Sequence, residues 1–177
     1  MCGVATPDIA QAFLVAEATM AARLTRAKKK IAAARIPYAV PATDMLPERV
    51  DTVLTVIHLL YATGHTAHSG EELVRDELTD RALDLARMLR LLLPAHPEAA
   101  GLLALLLVHH ARRATRTDAH GRLLRLEEQD RSAWDRELIT EADRLVVAAL
   151  RAAPPGRFTL QAAIAALHGA GPELRGH

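Results

Sequence analysis

Thr6-Pro7-Asp8-Ile9-Ala10-Gln11-Ala12-Phe13-Leu14-Val15-Ala16-Glu17-Ala18-Thr19-Met20-Ala21-Ala22-Arg23-Leu24-Thr25-Arg26-Ala27-Lys28-Lys29-Lys30-Ile31 predicts a helix, a short turn and a second, basic helix. Thr6 offers a capping hydroxyl, Pro7 suits the first helical position because no amide donor is needed there, and Asp8 suits the positive end of the helix dipole. In the second helix Met20, Leu24, Ala27 and Ile31 recur at steps of four, three and four, which places one apolar stripe toward a core. Thr19, Arg23, Arg26 and Lys30 are expected opposite that stripe, and Lys28, Lys29 and Arg35 add charge toward the C-terminal end. A helix from Glu17 to Arg35 is roughly 28 Å long at about 1.5 Å per residue, enough to lie in a major groove and reach flanking phosphates. The plainer alternative is a solvated helix end, where the negative pole of the dipole favours cations.

Composition narrows the fold class. Half of the 177 residues are apolar, Ala, Leu and Arg dominate, aromatic residues make up only 3%, and no alternating Val/Ile/Thr run occurs, so the chain is expected to be all-α. The charge is unevenly distributed: residues 1–35 carry a net +4 and the remainder −3, a basic arm on an acidic body. Cys2 is the single cysteine, so no intramolecular disulfide is possible and a reducing cytoplasm is the expected compartment. The start lacks a basic segment followed by an uninterrupted apolar run, and Gly101 to Val108, the longest apolar stretch, is too short to span a bilayer; no membrane association is expected.

Punctuation along the chain divides it into residues 1–36, a linker at 37–43 containing Pro37 and Pro41, and a helical body at 44–177. In the body a helix is expected from Pro47 to Tyr61, stopped by Gly64, with a loop from Gly64 to Gly70. A second runs from Glu71 to Leu93 with Leu73, Leu78, Ala82, Leu85, Leu89 and Leu92 inward. Pro94 and Pro97 end it, and a third runs from Glu98 to about Arg116, apolar nearly all round and therefore central. Asp130, Ser132 or both are expected to cap a helix from Ala133 to Ala152, and Thr159 to His168 forms a last short one. The Pro-linked hairpin has the form of one tetratricopeptide unit, without a second copy at a 34-residue period. The expected architecture is a helix-turn-helix followed by an irregular bundle of such hairpins.

Order and spacing then resemble a known family. Ile9-Ala10, Val15, Glu17-Ala18-Thr19-Met20 and Arg23-Leu24-x-Arg26-Ala27-Lys28-Lys29-Lys30-Ile31 resemble the second half of region 4 in extracytoplasmic-function sigma factors of the sigma-70 family. Pro47-Glu48-Arg49-Val50, Gly64-His65-Thr66-Ala67-His68-Ser69-Gly70, Leu102-Leu103-Ala104-Leu105, Ala111-Arg112-Arg113, Glu128-Gln129-Asp130-Arg131-Ser132-x-Trp134-Asp135 and Leu160-Gln161-Ala162-Ala163-Ile164 are similar to the long helical C-terminal extension of one subgroup. The resemblance implies transcription initiation with promoter DNA and core RNA polymerase as partners. It implies Thr19, Met20, Ala22, Arg23 and Arg26 facing the −35 element and Lys28, Lys29 and Lys30 holding phosphates. An upstream region 2 domain and the first helices of region 4 have no counterpart in this sequence, so the exposed stripe is expected to need cover from the body, as an intramolecular sigma-domain contact, or from self-association.

The chain departs from that pattern at identifiable places. Leu14 stands where a turn commonly has glycine, and Ala16 stands at the N-cap where Ser is usual. His65, His68 and His110 also replace the usual residues.

Other chemistry is thin. His65, His68, His109 and His110 invite a metal reading, but there is no HExxH, cysteine pair or spaced carboxylate triad, and neither metal nor cofactor is expected. No nucleophile triad, phosphate loop or dinucleotide fingerprint occurs, so no enzymatic activity is expected. Asp130-Arg131-x-x-Trp134-Asp135 reads as scaffold, with the indole N–H bonded to a partner. Gly64, Ser69 and Gly70 mark a candidate interaction loop, and a protein-interaction module of tetratricopeptide type is the alternative function.

Overall fold

The computed structural model describes residues 4–35, 45–65, 72–120 and 122–169. Among them the helices are α1 (Thr6–Ala12), α2 (Glu17–Ala33), α3 (Leu46–His65), α4 (Glu72–Leu92), α5 (Pro97–Ala111), α6 (Arg136–Ala152) and α7 (Arg157–Gly169). Extended pairing among the described residues is limited to one isolated bridge, Thr117 with Leu123, so the fold is all-α. The chain falls into two compact units, Met1–Thr79 and Asp80–His177. The predicted linker at 37–43 lies outside the described residues.

In the first unit α1 packs on α2 and on α3. Its N-cap is Ala5, whose carbonyl accepts from the Ile9 amide at 3.1 Å; Thr6 is already helical, so the cap expected from its hydroxyl does not form. The turn closes as a Schellman motif: the Leu14 amide donates to the Gln11 carbonyl and the Val15 amide to the Ala10 carbonyl, both at 3.0 Å. That geometry needs a left-handed residue after the helix, and Leu14 supplies it at φ 52° while 93% exposed. α2 then starts on Ala16 without a side-chain cap. Its stripe is anchored at one end only: Met20 is 5% exposed and Leu24 half-buried, while Ala27 is exposed and Ile31 is 53% exposed.

α3 buries Val50, Leu54, Ile57, Leu60 and Tyr61 along one face, as its spacing dictates. It continues four residues past Tyr61, so Gly64 is a buried residue of the last turn and not the stop.

The second unit is organised by α5. Twelve of its fifteen residues are buried, and α6 and α7 pack on it and on each other. Glu98 in its first turn fixes α7: one carboxylate oxygen accepts from the Phe158 amide at 2.8 Å, and the other from the Thr159 amide at 3.0 Å and the Thr159 hydroxyl at 2.5 Å. These are orphan donors of the α7 N-terminus, where a negative charge is favoured. Gly101 lets the helices close, because a Cβ there would lie 2.6 Å from the Thr159 nitrogen and 2.8 Å from its Cα.

α5 stops at Ala111, short of the expected Arg116. The incoming Asp135 amide takes the Ala111 carbonyl at 3.1 Å, and Arg113–Thr115 tightens into a 3-10 turn. Trp134 is buried there, its indole N–H donating to the Thr115 hydroxyl at 3.0 Å and its ring lying between the guanidinium groups of Arg112 and Arg131, 5.7 and 5.4 Å away. The cap of α6 is Asp135, whose carboxylate accepts from the amides of Glu137 and Leu138. Asp130 instead caps the 3-10 turn Arg131–Ala133, and the hydroxyl of Ser132, followed by its amide, holds the Asp130 carboxyl below the ordinary 3.8. α4 also differs from expectation in its C-terminal half: Ala82, Leu83 and Ala86 are buried, whereas Leu92 is 71% exposed.

Candidate nucleic-acid interface

α2 has 17 residues and so a length of about 25 Å. Its side chains at 19, 23, 26 and 30 fall within one narrow sector, because steps of four, three and four keep returning to the same side of a 3.6-residue turn. Thr19, Arg23, Arg26 and Lys30 are all exposed. Among the described residues none of the α2 cations takes part in an ion pair, in contrast to the second unit, where Arg87 pairs with Glu141 at 3.6 Å and Arg122 with Asp118 at 3.0 Å. Between Glu17 and Asp44 the sequence has no carboxylate at all. The sector is therefore a row of uncompensated positive charge with one hydroxyl at its N-terminal end.

Three placements differ from expectation. The Arg23, Arg26 and Lys30 row stands about a quarter turn from the Met20 and Leu24 stripe and not opposite it; the side directly opposite carries Ala18, Ala22, Thr25 and Lys29. Ala22 borders the cationic row, and Lys29 lies beyond it. Met20 is buried, so it anchors the helix and does not belong to an exposed reading face. Lys28 projects to the other flank, where with Ile9, Phe13, Leu24, Val56 and Leu60 it lines an open apolar hollow of about 530 Å3 between α1, α2 and α3. The hollow was not visible in the sequence, because its walls come from helices separated by the linker.

The helix ends on Arg35 at φ 47°, with the Arg35 amide donating to the Ala32 carbonyl at 3.2 Å. This repeats the left-handed closure of α1, again without glycine, and sets a further cation at the tip.

The other candidate residues do not form a site with these. Gly64 is helical, and Ser69, Gly70 and His68 lie outside the described residues. His65 ends α3 with its ring 5.2 Å from that of Tyr61. His109 shares a 2.8 Å hydrogen bond with Arg112, and His110 is buried with its Nε2 3.6 Å from Asp80. Among the described residues no three His, Cys, Asp or Glu side chains come together in a way that holds a metal ion, and no helix is long and apolar enough to cross a membrane.

Residues 49–150 match the model of a family of unknown function, DUF6596, and the chain belongs to that family. The match covers α3 to α5 and most of α6; α1 and α2 precede it. The chain is also similar to an uncharacterized protein, R00370, of Rhizobium meliloti (strain 1021), with 47% identity over 166 residues. Those residues are 94% of this chain and 39% of the relative, so the chain spans about two-fifths of the length of the curated protein it matches. No solved structure matches it.

Proposed function

For this member of the DUF6596 family we propose a DNA-binding role in transcription initiation, as the C-terminal part of a sigma factor of the extracytoplasmic-function type acting in the cytoplasm. The observation that carries the reading is the row of exposed, unpaired cations on α2: Arg23, Arg26 and Lys30 share one sector with Thr19. A helix of this length fits a major groove, and arginine forks match guanine O6 and N7. In this reading Thr19, Ala22, Arg23 and Arg26 face the −35 promoter element, Lys29, Lys30 and Arg35 contact phosphates, and core RNA polymerase is the protein partner. Phosphate contacts set register and base contacts set sequence, so the two groups differ in their signatures.

The test follows from that difference. Arg23→Ala together with Arg26→Ala is expected to lower affinity for promoter duplex and to reduce the salt slope by about 0.9 per lost phosphate contact. Lys30→Ala weakens promoter and random duplex alike. Equal affinity of the parent and the double variant at every salt concentration would sink the reading.

A second reading has its own observation. The apolar hollow against α3 suits a protein segment, and a tetratricopeptide-like interaction module with an idle basic helix would use it. Phe13→Glu separates the two: it abolishes partner capture in the second reading and leaves duplex binding intact in the first.

A further inference from the structure

α2 passes from packed to unpacked at Leu24. Met20 is buried and Leu24 half-buried, whereas every residue from Thr25 to Arg35 is exposed. Protein helices are held mainly by packing of an apolar face, and a stretch without such packing depends on propensity and on its own side-chain pairs. Here the two oppose each other. Ala27, Ala32, Ala33 and the lysines favour helix. Arg23 with Arg26 and Arg26 with Lys29 are like charges three residues apart, and Arg26 with Lys30 four apart, spacings at which like charges destabilise.

Nothing local offsets that repulsion. Glu17 and Asp44 are the nearest carboxylates in sequence, too far along the chain for an i,i+3 or i,i+4 pair with Arg26. The dipole favours cations in the last turn only, which helps Lys30 and leaves Arg26 unrelieved. The end is also held by a strained residue, because Arg35 takes a left-handed conformation that costs any residue with a Cβ.

We infer that Thr25 to Ala34 is a conditional helix, completed when a polyanion with closely spaced phosphates neutralises Arg26, Lys29 and Lys30. The phosphates bind the helical form better because only there do the three cations stand within one or two turns, and a ligand that prefers one form stabilises it. The free chain then carries a short, firm α2 ending near Leu24 and a frayed basic arm beyond it. The requirement is for linear phosphate density, not for base sequence, so the inference rests on the proposed function only in taking nucleic acid as the natural polyanion.

Amide hydrogen exchange on the full chain tests this, alone, with inorganic polyphosphate, and with duplex DNA. In the free chain the amides of Thr25–Ala34 are expected to be protected less than about tenfold over an unstructured peptide, and either polyanion raises their protection by about tenfold or more while Leu102–Leu107 are unchanged. Protection of Thr25–Ala34 in the free chain equal to that of Leu24 overturns the inference, as does binding of polyphosphate without any gain. The triple variant Arg26→Gln, Lys29→Gln, Lys30→Gln is expected to gain protection without any ligand; no gain also counts against it. A gain with polyphosphate but no affinity for any duplex supports the conditional helix and removes the DNA reading. Tight duplex binding with no gain does the reverse.

Discussion

α2 and α5 are helices of nearly equal length, 17 and 15 residues, built for opposite surroundings. α5 buries twelve residues and α2 buries one. Both are rich in alanine and leucine or in long straight side chains, so propensity alone does not separate them. The difference lies in what each has for neighbours: α5 has α6 and α7 on it, while α2 is held by α1 near its start and by nothing described beyond Leu24. α5 therefore stabilises its unit, and α2 is a surface presented by its unit.

Matched truncations of the two helices break this contrast most directly. Leu106→Ala is expected to cost about 3 to 4 kcal/mol, since Leu106 is 0% exposed and the cavity cannot collapse between two packed helices. Ile31→Ala, at 53% exposure, changes stability by less than about 0.5 kcal/mol. Urea unfolding of both variants decides it; a comparable loss at Ile31 would mean that something covers the basic helix.

A smaller effect probes how α5 recruits its neighbour. Glu98→Ala leaves the Phe158 and Thr159 amides without their acceptor and is expected to cost about 2 kcal/mol, with exchange at α7 accelerating before exchange at α6. Equal acceleration in both helices would deny Glu98 its specific hold on α7.

Smaller still, and opposite in sign, is relief of strain beside α2. Leu14→Gly is expected to stabilise the first unit by up to about 1 kcal/mol, because glycine accepts φ 52° without a Cβ clash and no burial is lost at 93% exposure. A destabilised variant would show that the leucine makes a contact worth more than its strain. The slightest effect belongs to pH. Asp130 is held below 3.8 by Ser132, so its contribution is present above that value and fades as pH falls through the depressed one. The stability difference between the parent and Asp130→Asn should therefore narrow only on the acid side; a difference constant from neutral pH to pH 3 would contradict this origin.

Much of this was legible in the residues, for a physical reason. The near-continuous apolar run from Ala99 to Val108 admits no exposed face, so the central place of α5 followed from the sequence alone. The row at Arg23, Arg26 and Lys30 followed from helical period. Termini were less legible. Asp130, Ser132 and Asp135 are all capping residues within six positions, and which of them opens α6 depends on the Trp134 indole finding Thr115, a contact 19 residues back in the chain. Gly64 looked like a stop, yet α3 runs through it to His65. The left-handed turn at Leu14 was hidden because its hydrogen bonds are backbone to backbone and tolerate a residue that sequence statistics disfavour. Met20 entered the candidate face through resemblance and left it through burial.

The Glu98 carboxylate has one more consequence, which concerns the order of synthesis. Its partners lie 60 and 61 residues further along the chain. As the polypeptide leaves the ribosome, the first unit is complete and α5 has emerged well before α7 exists to cover it. During that interval the most apolar helix in the molecule is uncovered on the side that α7 will occupy, and the nascent chain is then a natural client for a chaperone. A premature stop anywhere before Phe158 would make that interval permanent.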